Sequence, residues 1–130
     1  MKKKVLLIGK NGQIGNFLKK NLKLLNNIIV KSLSRKDLNL ENLLYIKKKL
    51  NKFKPNIIIN AAAYTKVDGA EKNKKTCYKV NALSVKKISE WCEINQCLLI
   101  YYSTDYIFNG KNKNPWEESN APNPINFYGK

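Results

Sequence analysis

With 130 residues, 43% of them hydrophobic and 10% aromatic, the chain has material for one domain around one core and too little for two. Its formal charge of +16 would suit a polyanionic partner, but Arg35 is the only arginine among 25 basic residues; lysines without arginine forks or interleaved aromatics read as solvated surface, so no specific nucleic-acid partner is expected. With no histidine, Ser-His-Asp hydrolysis and His-ligated metal sites are excluded from this chain, and three cysteines without C-x-x-C spacing suit neither a disulfide framework nor a zinc ribbon.

Residues 4–8 form a short apolar run that stops at Gly9, and beyond Gly12 the positions Ile14, Phe17, Leu18, Leu22 and Leu25 recur at helical spacing. A strand followed by a helix is expected. Ile28–Leu33 reads as a second strand, residues 43–50 as a helix, 56–60 as a third strand behind Pro55, 77–91 as an amphipathic helix and 97–102 as a fourth strand. Strands that are apolar without alternation are buried on both faces, as in a parallel sheet covered by helices. The expected fold class is therefore α/β, a Rossmann-like doubly wound parallel sheet filling residues 1–130 as one nucleotide-binding domain. Beyond Tyr106 a stretch rich in Asn, Gly and Pro reads as a surface loop to Lys130. The apolar runs are too short for a signal peptide or a membrane span, so no membrane association and a cytoplasmic location are expected.

Gly9, Gly12 and Gly15 lie at the junction of first strand and first helix, where a tight turn lets backbone N–H groups approach a pyrophosphate. Three of the chain's six glycines within seven residues outweigh the bare pattern, since a plain strand-to-helix turn needs one. No acid ends the second strand to accept from the ribose 2′-hydroxyl of NAD. Arg35 follows Ser34 there instead, which favours NADP(H) over NAD(H) and competes with its reading as an ordinary solvated charge. The third strand runs into Asn60-Ala61-Ala62-Ala63-Tyr64-Thr65, whose small residues permit close approach of a ligand, and then into Val67-Asp68-Gly69-Ala70-Glu71, where Asp68 would cap a helix. The fourth strand ends in Ser103-Thr104-Asp105-Tyr106 at the same sheet edge, and Tyr128-Gly129-Lys130 closes the chain.

Together the G-x-x-G-Q-I-G turn, N-A-A-A-Y-T with V-D-x-A-E, S-T-D-Y-I-F at residues 103–108 and Tyr128-Gly129 resemble the dTDP-4-dehydrorhamnose reductases, extended short-chain dehydrogenases/reductases. Ser34-Arg35-Lys36-Asp37-Leu38 and Pro115-Trp116-Glu117 extend the resemblance along nearly the whole chain. It implies reduction of the 4-keto group of dTDP-4-dehydro-6-deoxy-L-mannose to dTDP-L-rhamnose by NADPH or NADH. The cofactor would be held by Gly9, Asn11, Gly12, Gln13, Ile14, Gly15, Ser34, Arg35, Asn39, Leu40, Ala61, Ala62, Ala63 and Tyr64. Thr65, Val67, Thr104 and Asp105 would meet the dTDP-sugar. Thr104 and Tyr128 would be catalytic, the tyrosine protonating the nascent alkoxide and the threonine holding the carbonyl. A homodimer and a Mg2+ ion enter as expectations of the resemblance alone.

A phenol titrating near ~10 is a sluggish acid at neutral pH, and the family assists it with a lysine four residues on. That residue would be number 132, beyond Lys130, and in a continuing helix Lys130 would face elsewhere. A chain truncated before the lysine and the substrate-binding region is expected to be nearly inactive alone, with an exposed sheet edge. Asn39 also stands where the family usually has an acid. The competing reading is a non-catalytic nucleotide-binding subunit, similar to the regulatory subunit of methionine adenosyltransferase; a tyrosine and threonine at these positions favour the enzyme.

Overall fold

The computed structural model describes residues 2–111 and 113–130; Met1 and Asn112, the latter within the expected loop, lie outside the described residues. The elements are β1 (Lys3–Ile8), α1 (Gln13–Leu22), β2 (Ile28–Leu33), α2 (Leu43–Phe53), β3 (Ile57–Asn60), α3 (Val67–Lys72), α4 (Lys74–Tyr78), α5 (Ser84–Ile94) and β4 (Leu98–Tyr101). All strand pairs are parallel and the sheet order is β2-β1-β3-β4. The strand order reverses direction between β1 and β3, so the carboxyl ends of these two strands flank the crevice where ligands bind in open α/β sheets.

Strand pleating sorts the apolar residues onto two faces. Leu6, Ile8 and Ile58 point to the side covered by α2 and α5, where they pack with Ile46, Leu50, Ile88 and Trp91. The indole N–H of Trp91 donates to Asn51 Oδ1 at 2.7 Å, tying α5 to α2. Val5, Leu7 and Ile59 point the other way, onto Leu18 and Leu22 of α1. On that face β4 lacks a cover: Leu98 and Ile100, in register with Ile57 and Ile59, are 58% and 39% exposed. In the sheet order β4 is also an edge strand among the described residues.

Two local expectations change. The single helix expected over residues 77–91 is α4 and α5 joined by one π-helical segment, Lys79–Leu83. Asn81 in that segment turns its side chain to the backbone of Tyr64, and Ser84 donates its hydroxyl back to Val80 O at 2.7 Å; π-type bulges of this kind gather at functional sites. Asp68 does not cap a helix. Helix α3 starts at Val67, and Asp68 sits in its first turn, where its charge still favours the positive helix end.

Cys77, Cys92 and Cys97 are free and buried, and burial, reinforced by the neighbouring Cys97, pushes the Cys92 thiol up to about 12. Burial raises Cys77 and Cys97 as well. Since the thiolate is the reactive form, an aromatic disulfide reagent at mildly alkaline pH should leave the folded protein almost untouched and titrate all three thiols in urea; rapid reaction of any one in the native state would contradict this packing.

Candidate cofactor and substrate site

The turn between β1 and α1 is built on Gly9, which adopts φ +91° and donates its N–H to Leu33 O at 2.9 Å, so the exit of β1 is held by the end of β2. A Cβ on Gly9 would stand 2.7 Å from the backbone of Ala61, and one on Gly15 would stand 2.0 Å from Gly9 O. Both glycines are therefore required by the chain's own packing: Gly9 lets β1 and β3 exits pass, and Gly15 lets α1 lie on the turn. Gly12 differs. Its nearest neighbour would be Gly9 O at 3.6 Å, an ordinary contact, and its backbone is extended at φ −73°. The chain's own packing therefore leaves room for a side chain there, unlike at Gly9 and Gly15. Gly12 also offers no capping side chain to α1, leaving first-turn N–H groups open to an anion.

Gly9 and Gly12 line a cavity of about 720 Å³. Of the residues expected at a cofactor, Gly9, Asn11, Gly12, Gln13, Ile14, Ser34, Arg35, Asn39, Leu40, Ala61, Ala62, Ala63 and Tyr64 line it, whereas Gly15 stays behind the turn. Thr65, expected at the sugar, lines this cavity too. The small residues at the β3 exit and the open first turn of α1 leave this cavity able to accommodate a dinucleotide.

Around the end of β2, Asp37 and Arg35 are paired within the chain. Asp37 accepts from the Ser34 N–H at 2.8 Å and from Lys10 Nζ at 2.9 Å. The Ser34 amide, then the Lys10 ammonium and the Ser34 hydroxyl, hold its carboxyl well below the usual carboxylate range. Arg35 is bound to Glu41, and both line the cavity. Arg35, expected either to meet a 2′-phosphate or to stand as a solvated charge, is thus paired with an acid of the following loop.

A second cavity of about 280 Å³ is lined by Thr104 and Tyr128 together, with Asn81, Tyr101, Ser103, Phe127 and Lys130. Ala63 lines both cavities, so they adjoin at the end of β3. Thr104 accepts from the Tyr106 N–H and donates to Asp105 Oδ1, both at 3.3 Å. The Tyr106 ring meets Tyr128 edge to face, centroids 5.5 Å apart. Neither Asp105 nor Val67, both expected at the sugar, is among the residues lining either cavity. Lys130, expected to face elsewhere in a continuing helix, lines this one, because residues 125–129 form bends and turns rather than a helix.

Asn81 is the residue that sequence reasoning misses. Its Oδ1 accepts from the Tyr64 N–H at 2.8 Å and its Nδ2 donates to Tyr64 O at 3.0 Å, clamping that peptide at the wall between the cavities. The Tyr101 hydroxyl donates to Asn81 O at 3.3 Å, and burial, with Tyr128 and Cys77 nearby, raises the Tyr101 phenol. An asparagine inside an otherwise helical stretch was the available signal. On β3, buried Asn60 directs the exit by accepting from the Ala62 N–H at 3.2 Å; its Nδ2 has no partner among the described residues. Among those residues no three Asp, Glu or Cys side chains gather as a metal site. Among the described residues no helix is long and apolar enough to cross a membrane.

A family model, the RmlD substrate binding domain, matches residues 2–130. The chain belongs to this family. It is 36% identical over 128 residues to a dTDP-4-dehydrorhamnose reductase of Salmonella typhimurium, a match covering 97% of this chain and 43% of that one. It is similar to the crystal structure of a dTDP-4-dehydrorhamnose reductase from Clostridium acetobutylicum, with a TM-score of 0.92 and 37% identity over 97% of this chain and 45% of that one. A dTDP-4-dehydrorhamnose reductase from Bacillus anthracis, solved in complex with NADP, aligns with a TM-score of 0.91 and 35% identity over 99% of this chain and 46% of that one. The chain thus corresponds to the N-terminal portion of such reductases and spans about 43% of the length of the curated relatives it matches. The α/β, Rossmann-like class expected from sequence is the one observed.

The two packing glycines and the open one make opposite demands on stability. Gly15→Ala should lower thermal stability sharply or prevent folding, because backbone must give way; Gly12→Ala should cost about 1 kcal/mol or less, the ordinary difference between helix-capping residues. Equal losses in a calorimetric melt would remove the distinction.

Proposed function

We propose that the chain forms the cofactor half and part of the catalytic centre of a reductase that converts dTDP-4-dehydro-6-deoxy-L-mannose to dTDP-L-rhamnose. The observation that carries this reading is that Thr104 and Tyr128 share a cavity that adjoins the glycine-turn cavity at Ala63. A carbonyl held in the smaller cavity therefore lies beside whatever ring reaches the end of β3.

When bound, NADPH or NADH supplies the hydride that goes to the sugar C4. As that carbon is reduced, negative charge develops on its oxygen. Tyr128 donates its hydroxyl proton to that oxygen, and Thr104 turns its hydroxyl from Asp105 to donate a hydrogen bond to it. Asn81 keeps the Tyr64 peptide, and with it the dividing wall, in place during the transfer. Ala61, Ala62 and Ala63 let the nicotinamide end come close. NADPH is the preferred donor: Arg35 exchanges Glu41 for the 2′-phosphate, with Ser34 beside it.

The family's lysine four residues past the tyrosine is not among these 130 residues, and we propose that by themselves they reduce the sugar slowly. Incubated with NADPH and dTDP-4-dehydro-6-deoxy-L-mannose, the chain should form a little dTDP-L-rhamnose over hours, and Tyr128→Phe should abolish it. Turnover at a typical enzymatic rate of about 10 per second would refute the slow-chain claim. No product, or product unaffected by Tyr128→Phe, would refute the reductase assignment, and a stoichiometric complex with a second enzyme would then support the non-catalytic reading.

A further inference from the structure

The V-D-x-A-E segment carries a glutamate that the chemistry above does not use. We infer that Glu71 is a positioning residue for Tyr128, acting as the acceptor that fastens the tyrosine's turn to helix α3; the inference rests on the role proposed for Tyr128.

Residues 109–130 contain no helix or strand among those described, so tertiary contacts must locate Tyr128. The Phe127 N–H, immediately before it, donates to Glu71 Oε1 at 2.7 Å across 56 positions of sequence. Lys74 reinforces the contact, its Nζ lying 3.9 Å from Glu71 Oε2 and 5.5 Å from the centroid of the Phe127 ring. Immediately after the tyrosine, Gly129 packs so tightly that a Cβ would stand 2.0 Å from Tyr106 O, and its N–H donates to Asn126 Oδ1 at 2.9 Å. Tyr128 is thus gripped on one side by the loop that follows Thr104 and on the other by α3.

The platform under Glu71 is itself fixed. Ala70 is fully buried, and Gly69 packs against the Tyr64 hydroxyl, 2.8 Å from where a Cβ would be. Through this arrangement the position of Tyr128 is referred to the loop leaving β3, the same loop that walls the cofactor cavity. The requirement is for an acceptor oxygen at a set reach, which a Gln amide supplies and a shorter or apolar side chain does not.

The test uses the full chain labelled with 15N-phenylalanine and 13C-tyrosine, without cofactor or sugar. In Glu71→Ala the Phe127 amide should exchange with solvent about tenfold faster, the equivalent of losing one charge-assisted hydrogen bond. The nuclear Overhauser contact between the Tyr106 and Tyr128 rings should vanish, while the Phe17 and Phe53 amides in α1 and α2 keep their protection. Glu71→Gln should preserve both Phe127 protection and the ring contact. If alanine unfolds the protein, Glu71→Asp, which withdraws the oxygen by one methylene, should still lose the ring contact. Persistence of that contact in the folded Ala or Asp variant, or a Gln variant as impaired as Ala, would overturn the inference. In turnover, Glu71→Ala should lower kcat more than tenfold and leave NADPH affinity unchanged, a loss Glu71→Gln should restore. Failure of the reductase reading would appear separately, as absence of Tyr128-dependent product in the wild-type chain with the resonances unaltered.

Discussion

The backbone of Gly9 passes within contact distance of two other pieces of backbone, the Ala61 exit of β3 and the Gly15 turn of α1, and the site depends on that crowding. Because β1 and β3 are neighbours and both end there, the first turn of α1 is set directly above the reversal of strand order. Crowded backbone leaves little freedom, so the cavity mouth is shaped before any ligand arrives. Preorganisation of this kind lowers the entropic cost of holding a flexible dinucleotide. Gly12 is the one glycine of the turn that this packing leaves open.

A second level of organisation extends outward from that crowding through polar side chains. Asn81 joins the π-helical segment to Tyr64, and Glu71 joins α3 to Phe127, so the smaller cavity is assembled from pieces far apart in sequence but tied to the loop leaving β3. The outer face of β4 shows the opposite condition. Leu98 and Ile100 remain exposed where Ile57 and Ile59 on the neighbouring strand are covered by α1, an apolar surface of the kind that contacts between chain segments or molecules normally remove from water.

Periodicity and glycine placement made much of this legible in the sequence. The bounds of β2 coincide with the expected Ile28–Leu33, the glycine turn and the alanine run after β3 line one cavity, and Thr104 and Tyr128, singled out by family resemblance, line another together. What escaped was decided by side chains meeting across sequence. No local pattern says that Asn81 reaches Tyr64, that Asp37 takes Lys10, or that Glu41 occupies Arg35. The distinction among the three glycines was equally hidden, since spacing treats them alike and only the neighbours of each absent Cβ separate packing from ligand approach.

If the open turn at Gly12 holds a dinucleotide's pyrophosphate, isothermal titration of the 130-residue chain with NADPH should give saturable one-to-one binding. That binding should be displaced by NADP+ and weakened at least tenfold when Gly12 is replaced by valine in a protein that still melts cooperatively. Absence of saturable binding, or affinity indifferent to a bulky residue at position 12, would contradict that assignment.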